Sequence, residues 1–231
     1  MIRLNIVVEG QTEETFVNRV LADHLGAFNI STTARSVQTS RKGATRYRGG
    51  VLNYSQVRRD IDKWMHEGNN PDAYFTTMLG FYALPHDFPD FATARGHSDP
   101  YVRVSILETA LARDLPHLRF VPYLQLHEFE ALLLADPQHF DCYFLDHADA
   151  IQRLSALAQA NTPELIDDGP LTAPSKRIIA EIPEYAGQKV SAGPVIAQKI
   201  GIATLRERCP HFHQWLEKLE QLVVYQGSNE G

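Results

Sequence analysis

The run Leu4-Asn5-Ile6-Val7-Val8-Glu9-Gly10-Gln11-Thr12-Glu13-Glu14 constrains this chain more than any other stretch. An apolar segment of strand length ends in an acid, then a glycine. A helical pattern follows, with Phe16, Val17, Val20, Leu21 and Leu25 spaced by three or four. Leu4 to Val8 reads as a buried strand, and Thr12 as the N-cap of the next helix. Glu9 then stands at the carboxyl edge of a sheet, where open α/β folds bind ligands. A carboxylate fixed there, with acids in the next turn, suits a hard divalent cation. The competing reading is that Glu13 and Glu14 only complement a helix dipole. It applies less to Glu9, because an acid ending an apolar strand buries charge unless something pairs with it.

The first half alternates. Strands are expected at about Arg3 to Val8, Asp72 to Leu79 and Leu118 to Leu126. Helices are expected at about Glu13 to Leu25, Ser55 to Met65 and Pro100 to Arg113, and a polar stretch from Ser31 to Gly50. Such alternation predicts an α/β fold with a mainly parallel sheet flanked by helices. After Glu128 the pattern is helical: Phe129 to Leu134, Ala148 to Ala160, Ser175 to Glu181, Val195 to Ile200 and Phe212 to Val223. Prolines and glycines, Gly193-Pro194 among them, cut it into short pieces. The expected organisation is an α/β core over residues 1–136 and a helical region over 137–231 packed on it. The 231 residues, 44% of them hydrophobic, can fill one substantial core. The net charge of −6 gives no global sign of nucleic-acid binding. Cys142 and Cys209 lack the spacing of a zinc site or disulfide framework. No signal peptide or bilayer-length apolar run is evident, so a cytoplasmic protein with no membrane partner is expected.

Three further constellations carry chemistry. His127-Glu128-Phe129-Glu130 follows the third expected strand, so it places carboxylates at a second strand end. The alternative is an ordinary acidic helix start. The middle strand ends at Gly80, which offers no side-chain ligand; Asp87 and Asp90 lie beyond it, where turn chemistry is the competing explanation. Finally, Arg35, Arg41, Lys42, Arg46, Arg48, Arg58, Arg59 and Lys63 crowd one region, interleaved with Tyr47 and Tyr54. Beside a metal site such a cluster neutralises phosphates; the competing reading is a solvated loop. Lys176 and Lys189 either add to that groove or are surface charges. The ten histidines show no HExxH spacing, which argues against a zinc hydrolase.

Several stretches together resemble the Toprim-fold family catalogued as domain of unknown function 4276. They are Val8-Glu9-Gly10-Gln11-Thr12-Glu13, Thr76-Thr77-Met78 through Tyr82-Ala83-Leu84-Pro85 and Asp87-Phe88-Pro89, and Leu126-His127-Glu128-Phe129-Glu130-Ala131-Leu132-Leu133. Ala173-Pro174-Ser175-Lys176-Arg177-Ile178 and Gly201-Ile202 through Cys209-Pro210-His211-Phe212-His213-Gln214-Trp215 continue the match. The resemblance implies a Toprim-like core and Mg²⁺-dependent (or Mn²⁺-dependent) cleavage of nucleic acid. It implies Glu9, Glu13 and Glu130 as catalytic residues and Glu9, Glu128 and Glu130 as metal ligands. With it, Arg41, Lys42, Arg46, Arg48 and Lys176 are expected to contact nucleic acid, DNA or RNA. It also implies effector nucleases that act in phage defence with an ABC-type ATPase; a homodimer is a further expectation.

One departure bears on all of this. The family motif after Thr-Thr-Met offers an aspartate where this chain has Gly80. A Mg²⁺ site depends on a few anionic ligands, so losing one weakens it. Two readings stay open: a metal-dependent nuclease, weakened or with Asp87 or Asp90 recruited, and an inactive Toprim scaffold that binds an ATPase or nucleic acid.

Overall fold

The computed structural model describes residues 1–37, 53–67, 72–166, 169 and 171–222. Its frame is a parallel five-stranded sheet: β1 (Ile2–Val8), β2 (Ile30–Ser36), β3 (Ala73–Gly80), β4 (Phe120–Val121) and β5 (Leu124–Gln125). The order is β2-β1-β3-β4, with β5 also paired to β3. The expected mainly parallel α/β sheet is therefore present. The chain steps outward from β1 to β2, then crosses back and builds the other way from β3. The order thus reverses between β1 and β3, and a crevice opens at the carboxyl ends of strands at such a point.

Helices cover both faces. α1 (Gln11–Phe16) runs through a π-helical turn at Val17–Leu21 into α2 (Ala22–Gly26). α3 (Tyr54–Glu67), α4 (Phe91–Arg95) and α5 (Pro100–Asp114) follow before β4. α6 (Glu130–Leu133), α7 (Ala148–Ala160), α8 (Pro174–Glu181), α9 (Tyr185–Arg208) and α10 (Pro210–Glu220) follow β5. The period of two along a strand splits the core. Ile2, Leu4, Ile6 and Val8 of β1 and Met78 of β3 pack with the first helices and with the carboxyl-terminal ones through Leu205, Trp215 and Leu219. Val7, Phe75 and Leu79 pack on the other face with Val57 and Ile61 of α3 and Leu107 and Leu111 of α5.

Four expectations need correction. β2 lies where the sequence reads as a polar stretch. Its pattern Ile-Ser-Thr-Thr-Ala-Arg-Ser buries only Ile30, because it is an edge strand. The third strand, expected whole over Leu118 to Leu126, is two short pieces around Pro122-Tyr123, since proline has no N–H for the ladder. Thr77 spans the break: its Oγ1 donates to the Tyr123 carbonyl at 2.7 Å and accepts the Tyr123 N–H at 3.0 Å. The N-cap is Gly10 rather than Thr12, which lies inside α1. Last, Gly193-Pro194 does not end a helix. α9 passes through it and is interrupted only at Gly201, whose φ of 79° suits glycine. The close approach explains Gly193: a Cβ there would meet Phe129 Cε1 at 3.2 Å and Thr12 Cγ2 at 3.4 Å.

Candidate active site

Glu9 follows β1 directly, and Gly80 is the last residue of β3. They flank the crevice where the strand order reverses. The Gly80 N–H donates to Glu9 Oε2 at 3.0 Å, so the carboxylate lies across the crevice on bare backbone. The position of a Cβ on Gly80 would be 3.2 Å from the His127 carbonyl oxygen and 3.8 Å from Glu128 Cα. The segment after β5 therefore closes the other side. His127 takes φ of 60°, a left-handed bend between β5 and α6 that turns the chain back over the strand ends.

Four acids face one another electrostatically here. Glu13 reaches back to accept the Gly10 N–H at 3.1 Å, one half of a capping box. Glu128 Oε2 accepts the Ser175 N–H at 2.9 Å, where α8 begins. Glu130, buried in the first turn of α6, takes Lys189 Nζ at 2.9 Å and the Tyr185 hydroxyl at 3.3 Å, both from α9. Burial pushes the Glu9 carboxyl up to about 7. The Gly80 N–H works against that rise, while Glu130 and Glu128 add to it. Burial, then the charge of Glu9, pushes Glu13 up to about 8. Burial also raises Glu130, with Lys189 opposing.

All of these donors are carboxylate oxygens, the chemistry a hard cation such as Mg²⁺ takes. Like charges held out of water raise one another's pKa values, and a divalent cation relieves that cost. Among the described residues, no three His, Cys, Asp or Glu side chains already converge as a metal-holding group. Glu9, Glu128 and Glu130 are partly engaged by two backbone amides and an ammonium instead. Mg²⁺ commonly binds through one or two carboxylates plus substrate phosphates and waters, and this set fits that mode.

The expected site residues Glu9, Glu13, Glu128 and Glu130 thus come together. Lys176 is exposed beside Ser175, whose amide holds Glu128. Arg41, Lys42, Arg46 and Arg48 lie outside the described residues. Three described members of the basic cluster are ion-paired: Arg35 with Glu67 at 2.8 Å and over Trp64 at 4.4 Å, Arg58 with Asp114 at 2.8 Å, Lys63 with Glu67 at 3.6 Å; Arg59 donates to the Ser55 carbonyl of its own helix at 3.2 Å. Asp87 and Asp90 do not take the place of the missing acid. Asp87 accepts the Tyr54 N–H at 3.0 Å at the start of α3, and Asp90 pairs with Arg113 at 3.0 Å. Tyr185 escaped the sequence reading, because a tyrosine in a helix has no signature of its own. Lys189 was legible only as a charge; its heptad-like spacing from Ala192 and Ile196 on α9 hints at a residue flanking the packed face.

No curated protein and no solved structure matches this chain. No described helix is long and apolar enough to cross a membrane. The model of a domain of unknown function (DUF4276) matches residues 8–220, nearly the whole length, and the chain belongs to that family.

Proposed function

We propose that this chain is a Toprim-like nuclease that cleaves phosphodiester bonds of nucleic acid with Mg²⁺ or Mn²⁺. The observation that carries the proposal is the coupled set Glu9, Glu13 and Glu130 at the strand-order reversal, with Glu9 and Glu13 raised toward neutral pH. Glu9, Glu128 and Glu130 would hold the metal, which supplies charge stabilisation at the phosphate when bound. A carboxyl titrating near 7 is suited to give or take a proton at neutral pH, the role assigned to Glu9 with Glu13 in support. Glu130 is kept in place by Tyr185 and Lys189. Lys176 and the basic stretch Arg41, Lys42, Arg46 and Arg48 neutralise the backbone phosphates of DNA or RNA. In this reading the protein is a cytoplasmic anti-phage effector that acts with an ABC-type ATPase and pairs with a second copy of itself.

A specific observation favours a second reading, a Toprim scaffold that binds an ATPase or nucleic acid without cutting. Glu9 fills the room a side chain at position 80 would take, and Lys189 already neutralises Glu130. One experiment separates the two. Single- and double-stranded DNA and RNA are incubated with the chain, Glu9→Ala and Gly80→Asp, with Mg²⁺ or Mn²⁺ and with EDTA. The nuclease predicts metal-dependent cutting that Glu9→Ala reduces by at least about 100-fold. Absence of cutting by both the chain and Gly80→Asp would leave the scaffold, and cutting that persists in EDTA would overturn the metal-dependent nuclease.

A further inference from the structure

Tyr185, Lys189 and Gly193 recur every fourth residue of α9 and so share one face of that helix. The face is fixed against the strand-end site: a Cβ on Gly193 would stand 3.2 Å from Phe129 Cε1 and 3.4 Å from the Tyr185 hydroxyl. Tyr185 and Lys189 reach the same oxygen of Glu130. The hydroxyl donates to Oε1 at 3.3 Å, and Nζ stands 2.9 Å from it. The two donors are held differently. Tyr185 is fully buried, whereas Lys189 keeps 34% of its side chain exposed on a flexible four-carbon stem. The Glu130 side chain is only 8% exposed. The acid is therefore fixed and the ammonium is not. Lys189 can move into water and regain its hydration, while Glu130 keeps the Tyr185 hydroxyl. The charge of Lys189 acts on Glu9 as well. A monovalent cation thus stands where Glu130 and Glu9 would meet a metal.

We propose that Lys189 is a resident cation of this site, exchanged for the divalent ion: its ammonium holds Glu130 in the metal-free protein and moves out to solvent when Mg²⁺ or Mn²⁺ binds. The exchange rests on the metal site proposed above. A divalent ion carries twice the charge and takes several oxygen ligands at once, whereas an ammonium is a single point charge. Two cations on one buried carboxylate repel strongly, because little water screens them. Lys189 has the open way out, so it gives way. Without any cation, Glu130 would be an uncompensated buried charge, so the ammonium also keeps the metal-free crevice intact. Lys189 thereby sets how much free divalent ion the site needs before it fills. It is a positioning residue, acting through Glu130 rather than on the substrate.

Calorimetric titration of Mn²⁺ into the metal-free full chain, Lys189→Met, Lys189→Gln, Lys189→Arg and Glu9→Ala tests it. Lys189→Met removes the competing charge at similar length and should bind Mn²⁺ about tenfold or more tightly than the parent. Lys189→Gln keeps an N–H for Glu130 and loses only the charge. It should tighten likewise, and it keeps the test decisive should Lys189→Met fail to fold. Lys189→Arg retains a cation and should show no tightening. The amine itself gives a second readout. Acetylation of Lys189, followed by mass spectrometry against exposed Lys199, should rise severalfold in saturating Mn²⁺ and fall back with EDTA. With Glu9→Ala abolishing Mn²⁺ binding, the exchange alone is overturned by any of three results: unchanged or weaker binding in Lys189→Met and Lys189→Gln, equal tightening in Lys189→Arg, or Lys189 acetylation that Mn²⁺ leaves unchanged or lowers. Mn²⁺ binding by none of the proteins, or binding that Glu9→Ala leaves intact, overturns the metal site and the exchange together.

Discussion

A methyl group built onto Gly80 falls 2.9 Å from Glu9 Oε2 and 3.2 Å from the carbonyl oxygen of His127. The first neighbour is the end of a flexible side chain and can swing away; the second is backbone and cannot. Gly80→Ala is therefore expected to detach Glu9 from its amide at a cost of about 1–2 kcal/mol, read from urea midpoints. Gly80→Asp adds a charge to an already acidic pocket, so it should destabilise more at pH 8 than Gly80→Ala. Millimolar Mg²⁺ should recover the difference if the carboxylates take the ion, and EDTA should remove that recovery. Protonation gives a second residue-scale outcome. Glu9 at about 7 and Glu13 at about 8 both hold their protons longer folded than unfolded. The folded chain thus binds more protons between about pH 4.5 and 8, and stability contributed by these groups falls as pH rises through that window. Glu13→Gln, which cannot ionise, should gain on the parent by about 3 kcal/mol between pH 5 and pH 8 in denaturant titrations. A parent and variant that lose stability in parallel would contradict the raised value.

At the scale of elements, the strand ends are placed by short-range polar bonds as much as by the ladder. Thr77 replaces the hydrogen bonds that Pro122-Tyr123 interrupts, and Thr76 Oγ1 accepts the Trp215 indole N–H at 2.9 Å. Thr77→Val keeps shape but strands a buried N–H and carbonyl, so a loss of about 1–3 kcal/mol is expected in equilibrium unfolding. α9 depends on the contact at Gly193. Alanine there gains about 1 kcal/mol of helix propensity, yet its Cβ presses on Phe129 and Thr12. Overpacking wins because Phe129 is buried beside α6 and α1 is anchored by buried Phe16, and Gly193→Ala should lower the melting temperature. The same elements show what the chain makes legible. β1 and β3 announce themselves through long apolar runs, and α3, α5 and α7 through their spacing. β2 does not, since an edge strand carrying serine and threonine buries one residue and leaves no alternation to detect. α9 misleads for the opposite reason: tertiary packing carries it through a proline that local propensity would treat as an end.

Across the whole molecule, one hydrophobic cluster joins β1 and α1 to Leu205, Phe212, Trp215 and Leu219 near the end of the described chain. α10 is also tied back to α2, with His24 Nε2 at 2.7 Å from Glu220. A fragment of residues 1–136 should therefore lack a cooperative thermal transition, whereas the full chain should melt in one step seen alike by fluorescence and circular dichroism. The sequence by itself determined the parallel α/β class, the place of Glu9 at a strand end and the acids after the last strand, because apolar periodicity and its interruption are local properties. Only the tertiary structure decided that β1 and β3 are neighbours at the reversal of strand order. From that adjacency follow the Gly80 N–H on Glu9, the approach of Glu128 and Glu130, and the arrival of Tyr185 and Lys189 from a helix over fifty residues away. Such contacts arise from long-range pairing and burial, and no spacing along the chain encodes them.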